Sequence, residues 1–125
     1  MEKILYVGIG GLLGAISRYL MTIWSIEKFG LTFPYGTLLV NTLGCFILGV
    51  IVTIFGEKLI TNDNIRLFTI VGFTGGLTTF SAFTYETIKL VENYNIFSAV
   101  LNVGLNIFLG ILCITLGMAL GKTIS

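Results

Sequence analysis

Charge in this chain is gathered into a few short stretches, and the segments between them are long and apolar. Ile4 to Ile26 carries one charge, Arg18. Phe29 to Gly56, Leu67 to Tyr85 and Asn93 to Gly121 carry none. A helix needs ~20 apolar residues to cross the hydrocarbon core of a bilayer. Each run reaches that length or comes close. Lipid offers the backbone no hydrogen-bond partner, so such runs fold as helices. Composition agrees, with 10% charged residues against roughly 25% in soluble domains. A soluble domain this small has too much surface to be so apolar. The pattern predicts an all-α integral membrane protein with one domain, residues 1–125. The helices fall at about 4–26, 35–56, 66–92 and 95–121. A signal peptide does not explain the first run: it has a single early lysine and no clear small-residue cleavage site, and three more spans follow.

Composition also narrows the chemistry. The net charge is +1, which implies no nucleic-acid partner. The chain has no histidine, so the commonest general base and metal ligand is missing. No acid–base–nucleophile set is visible, which speaks against an enzyme. Cys45 and Cys113 lie inside apolar runs and read as small buried hydrophobes.

Local signals refine the spans. Pro34 and Gly36 suit the first turn of the second helix. Trp24, Phe29, Phe33, Tyr35, Tyr94 and Phe97 are predicted at one membrane interface, where aromatic belts sit. Gly8-Ile-Gly10-Gly11-Leu-Leu-Gly14 nearly matches a dinucleotide fingerprint. Only seven residues precede it, too few for the strand that the fingerprint needs. Gly10 and Gly14 instead form a small-xxx-small pair for close helix packing. With four spans, Lys3, Lys58, Arg66 and Lys122 share one side, and Lys28, Lys89 and Arg18 the other. Basic residues set orientation, and four against three is almost no bias. Insertion in both directions, giving an antiparallel homodimer, is one reading. A single topology fixed by one or two charges is the other.

Polar groups deep in a membrane mark candidate function. Arg18 lies ~21 Å along the first helix. It either snorkels to the nearer surface or faces inward as a positive potential for anions. Asn41 has Thr37 one turn before it, and Asn102 and Asn106 share a face of the fourth helix. Their roles divide between interhelical hydrogen bonds and a polar lining. The third span reads Gly72-Phe-Thr-Gly75-Gly76-Leu-Thr78-Thr79-Phe80-Ser81-Ala-Phe83-Thr84-Tyr-Glu86. Paired glycines and hydroxyl residues weaken a helix, so an unwound stretch exposing the Gly75 and Thr78 carbonyls is expected. A continuous helix with a small-residue face is the alternative. Phe80 and Phe83 share a face, and the positive ring edge attracts an anion without adding formal charge. Such a lining suits passage of a small anion, which must be held weakly enough to leave.

Three stretches of the chain resemble the Fluc (CrcB) family of fluoride channels, over nearly its whole length. They are Gly10-Gly11-Leu-Leu-Gly14-Ala15-Ile-Ser-Arg18-Tyr19, Pro34-Tyr-Gly36-Thr37-Leu-Leu-Val-Asn41-Thr-Leu-Gly44, and the third-span motif above. The resemblance implies a dual-topology homodimer of antiparallel subunits with two pores, through which fluoride leaves the cell passively. It implies pore roles for Phe80, Phe83 and Asn41, and a polar track for which Ser81, Thr84 and Glu86 are candidates. It also implies a structural sodium ion at the dimer centre, held by backbone carbonyls of Gly75 and Thr78 from both subunits. Arg18 matches an arginine common in the family, which favours the positive-vestibule reading. Family members often carry Tyr and Ser where this chain has Asn102 and Asn106. Two rivals remain. A proton-coupled exporter of cationic drugs needs a carboxylate deep in the first helix, and this helix has none. A noncatalytic assembly subunit would not need paired donors or a broken helix.

Overall fold

The computed structural model describes all 125 residues and is helical throughout. Four stretches are long and apolar enough to span a bilayer: Glu2–Phe29, Tyr35–Ile54, Asp63–Asn93 and Ile96–Ile124. The first, second and fourth are the unbroken helices α1, α2 and α7. They have 28, 20 and 29 residues. At ~1.5 Å per residue even the shortest covers the ~30 Å hydrocarbon core. The third span is assembled from pieces, namely α4 (Asp63–Arg66), a π-helical segment (Leu67–Thr74), α5 (Gly75–Leu77) and α6 (Ser81–Asn93).

The connections follow local chemistry. Gly30 ends α1 at φ 83°, a conformation that costs glycine nothing, and its N–H returns to the Ile26 carbonyl. Phe29 and Phe33 then stack on Tyr35, with centroids 5.2 and 5.0 Å apart, and Trp24 meets Phe29 edge-on at 6.0 Å. Four of the six aromatics expected at one interface therefore cluster, and Tyr94 lines the cleft beside Phe33 and Tyr35. Helix α2 stops at Ile54, two residues short of the expected end, and the polar stretch after it is not a plain loop. It holds α3 (Gly56–Thr61), whose Leu59 is buried. Asn62 then caps α4 by accepting from the Asn64 and Ile65 N–H groups. Asn95 caps α7 by accepting from Ser98.

Packing runs through glycine. Helix α1 lies against the third span so closely that a Cβ on Gly10 or Gly14 would collide with the Phe68 or Phe73 carbonyl. The fit is reciprocal. A Cβ on Gly72 would come 2.8 Å from the Val7 carbonyl oxygen, and one on Gly76 2.7 Å from that of Gly11. Helices α2 and α7 meet in the same way, through Gly49, Gly117 and Gly121. Without a hydrophobic drive between helices in lipid, this backbone-to-backbone contact is what association rests on. The glycine pair read from the sequence as a packing surface is therefore one side of a two-sided seam. Lipid solvates the remainder, so large apolar side chains such as Leu12, Ile16, Phe108 and Ile111 lie exposed around the bundle.

The seam separates the glycines of α1. Gly14→Ala puts a methyl against backbone and is expected to lower stability by ~1–3 kcal/mol, the usual cost of overpacking. Gly8→Ala meets nothing within 4 Å and should leave stability at or above wild type. Thermal unfolding of both variants in detergent checks the contrast.

Candidate functional site

The third span unwinds at mid-length, and the break governs everything near it. The π-helical segment leads in, widened where Thr74 donates its hydroxyl to the Thr69 carbonyl five residues back, at 2.8 Å. The paired glycines Gly75 and Gly76 stay helical, and the chain turns extended at Thr78 (φ −87°, ψ 158°). The break is thus at Thr78–Phe80, within the glycine and hydroxyl stretch expected to weaken the helix. The hydroxyl run, not glycine flexibility, marks it. Thr78 returns its own hydroxyl to the Thr74 carbonyl at 3.0 Å, and Thr79 Oγ1 accepts from the Ala82 N–H at 3.2 Å. These bonds close the first half-helix and cap the second.

A break leaves backbone groups without partners, and each costs several kcal/mol in a medium without water. Asn41 on α2 satisfies two of them. Its Oδ1 accepts from the Thr79 N–H at 2.8 Å, and its Nδ2 donates to the Thr79 carbonyl at 3.0 Å. The second Nδ2 hydrogen goes to Asn106 Oδ1 at 3.1 Å. Asn106 in turn donates to the Asn102 carbonyl and Oδ1 at 2.9 and 3.1 Å. Fully buried Asn102 donates to Thr87 Oγ1 at 2.9 Å, and Thr87 donates to the Phe83 carbonyl at 2.8 Å. The predicted residues Asn41, Asn102 and Asn106 therefore belong to one continuous ladder. It joins α2, α7 and both sides of Phe80. Asn41 has both amide hydrogens engaged, so it acts first as a clamp on the break.

Arg18 serves the same break from α1. Its Nε donates to the Gly76 carbonyl at 3.0 Å, so the side chain turns toward the third span. It does not line the vestibule described below. The carbonyls of Gly75, Leu77 and Thr78 accept no hydrogen bond within the chain, and neither the Phe80, Ser81 nor Phe83 N–H finds an acceptor. The break thus keeps free acceptors on one side and free donors on the other.

The remaining site residues fall into two groups. Phe80 is 75% exposed and its ring meets buried Phe83 at 5.6 Å with a 59° tilt. Ser81 and Thr84 follow on exposed turns of α6, with the Thr84 hydroxyl on the Ser81 carbonyl at 3.0 Å. Beside them is a cavity of about 260 Å³ lined by Asn41, Cys45, Thr78, Thr79 and Phe80. Thr37 and Glu86 lie elsewhere. They share a vestibule of about 280 Å³ at the end where α1 stops and α2 starts, with Thr22, Ser25 and Lys89. Glu86 Oε1 is buried there without a hydrogen-bond partner. One α2 face, Thr37 then Asn41, runs from this vestibule to the break. Thr79 and Thr87 are the functional contacts that sequence reasoning missed. Thr79 was visible in the hydroxyl run. Thr87 becomes visible only when its partner Asn102 is brought onto it from another helix.

The sequence has relatives. The profile of the CrcB-like protein, Camphor Resistance (CrcB) family matches residues 5–118. A protein of Acidobacterium capsulatum named fluoride-specific ion channel FluC is 41% identical over 122 residues, covering 98% of each chain. Proteins of the same name from Clostridium perfringens and a Sulfurihydrogenibium species are 42% and 44% identical, again covering 98% of each chain.

The clamp makes unequal predictions for its members. Asn41→Leu strands the Thr79 N–H and carbonyl together, at ~1–3 kcal/mol for each unpaired group. Asn102→Leu leaves Thr87 bonded to Phe83 and Asn106 bonded to the Asn102 backbone, and should cost less than Asn41→Leu. Asn41→Asp keeps an acceptor for the N–H but faces the Thr79 and Asn106 oxygens without a donor, and should approach the leucine variant. Thermal unfolding in detergent gives the order.

Proposed function

Because the chain belongs to the CrcB-like family, we propose that it is a passive, fluoride-selective channel that lets the ion leave the cytoplasm and so relieves its toxicity. With four spans and this family, it is a multi-pass bacterial membrane protein, and it works as a channel rather than an enzyme. The observation that carries the reading is the clamped break. Asn41 holds Thr79, and this fixes the Phe80–Phe83 ring pair beside backbone donors that the chain itself leaves unused.

Fluoride is small and strongly hydrated, so each step must replace lost water with a donor. Phenylalanine edges offer partial positive charge without a formal cation. The Ser81 and Thr84 hydroxyls and the free N–H groups at the start of α6 extend the donors. A half-helix N-terminus in a membrane suits an anion. No lysine or arginine lines the cavity at the break, so an ion attracted there is not trapped. Thr37 and Glu86 form the mouth. Arg18 contributes by holding the Gly76 carbonyl and, through its charge, by favouring anions near the break.

The working unit of this proposal is an antiparallel homodimer with two pores. Phe80, Ser81 and Thr84 are exposed on the single chain, and hydroxyls facing lipid are poorly placed unless something covers them. A second copy in the opposite orientation would cover them, and the near-even basic residues permit both insertions. Sodium would be held at the centre by the Gly75 and Thr78 carbonyls of both subunits, and it would neutralise converging carbonyl dipoles. These oxygens fit the role because they accept no hydrogen bond within the chain. Gly75 also lies exposed, where a Cβ would meet only one atom, the Ile70 oxygen at 3.6 Å.

Liposomes that hold only the purified protein should release fluoride, and not chloride, once a potassium ionophore is added. A fluoride electrode reads the efflux, and silence from well-folded protein would sink the proposal. Phe80→Ile should slow efflux by about tenfold, the rate equivalent of the ~1.4 kcal/mol that one ring contact supplies. For the cation, crystals grown with a heavier monovalent ion should give an anomalous peak beside Gly75 and Thr78. Density without a peak there would remove sodium from the mechanism.

A further inference from the structure

A third cleft lies far from the break, where α1 begins and the third span enters the membrane. Its volume is about 390 Å³, within the ~300–1,000 Å³ typical of small-molecule sites. The walls are Ile4, Val7 and Leu67, and the floor includes Gly8, where a Cβ would meet nothing within 4 Å. The rim is charged. Lys3 Nζ lies 3.2 Å from Asp63 Oδ2, and Arg66 lies 3.5 Å from Asp63 Oδ1. Two cations therefore share one carboxylate, which leaves the rim with one net positive charge. Both cations also keep spare donors, since an ammonium has three and a guanidinium five. Their side chains are 68% and 43% exposed.

The geometry points to a binding site for an anionic phospholipid. The headgroup phosphate would bridge Lys3 and Arg66, and one acyl chain would lie over Gly8 between Ile4, Val7 and Leu67. Three features select this occupant. The rim sits at the end of two membrane spans, at headgroup depth. Its charge is opposite to that of an anionic headgroup, and basic pockets between spans favour such lipids. The apolar walls continue directly below the charge, which matches an amphipathic ligand and not a free anion. Asp63 sets the strength of the site, because it offsets one of the two cations.

The charge arithmetic supplies the test. The purified protein is equilibrated with equal amounts of phosphatidylglycerol and phosphatidylcholine, and retained lipid is read by native mass spectrometry. Wild type should retain phosphatidylglycerol about fivefold over phosphatidylcholine, the equivalent of one surface basic residue. Asp63→Asn raises the rim to two net charges and should widen the preference. Lys3→Gln lowers it to zero and should bring retention to parity. Gly8→Leu fills the floor and should reduce retention of both lipids, with fluoride efflux unchanged as the sign of intact folding. Equal retention by wild type would overturn the site. So would a preference indifferent to Asp63→Asn and Lys3→Gln. If Gly8→Leu splits the oligomer and leaves lipid retention as it was, the cleft belongs to a second copy of the chain and the lipid assignment fails.

Discussion

A backbone carbonyl or N–H inside lipid needs a partner, and this chain deliberately leaves several without their helical one. The third span stops being a helix at Thr78–Phe80, midway along a membrane-length segment. The fold answers with side chains from two other spans. Asn41 pairs both polar groups of Thr79, and Arg18 pairs the Gly76 carbonyl. Each is a single residue on an unbroken helix. The glycine seams bring those helices near enough for a short amide or a guanidinium to reach. Packing and site are therefore one problem: widen the seam at Gly14 or Gly76 and the Gly76 carbonyl loses Arg18.

The break also explains how rigidity and permissiveness coexist. The ladder from Asn41 through Asn106 and Asn102 to Thr87 fixes the buried side of the ring pair. Phe83 sits on that side and is buried, while Phe80 faces outward. Free backbone donors and acceptors remain at the break itself. The cavity at the break is lined by fixed dipoles, with no lysine or arginine among its walls, and in the proposed channel that is the compromise between holding and releasing that conduction requires. The two asparagines of α7 carry the ladder between α2 and α6. Their amides carry both donor and acceptor, so each rung of the ladder can pass the polarity on to the next.

Much of this was legible in the residues. Uncharged runs of sufficient length leave little choice but helices in lipid, and the four spans appear within a few residues of their expected ends. Trp24, Phe29, Phe33 and Tyr35 cluster as an interfacial belt should. Gly10 and Gly14 face another helix, as their spacing demanded. Legibility failed where partners come from elsewhere in the chain. Paired glycines and hydroxyls marked the stretch that unwinds but not the residue where it does so: Gly75 and Gly76 stay helical and the chain opens at Thr78. Tertiary bonds to Thr79 make the later position cheaper, and propensity cannot weigh bonds from another span. Arg18 read equally well as a surface or an inward charge, and its bond to the Gly76 carbonyl appears only in the packed fold.

The sequence by itself determined the solvent, the number of spans and the kind of groups that a deep site could contain. Those follow from transfer free energies, which add along the chain residue by residue. The tertiary structure decided which polar groups are spent and which stay available. Asn41 could have been a free donor; its contacts with Thr79 and Asn106 make it a clamp. The carbonyls of Gly75 and Thr78 could have been capped; they are not. A hydrogen bond is a property of two positions in space, and residues 38 to 65 apart in the chain acquire that property only when the helices pack.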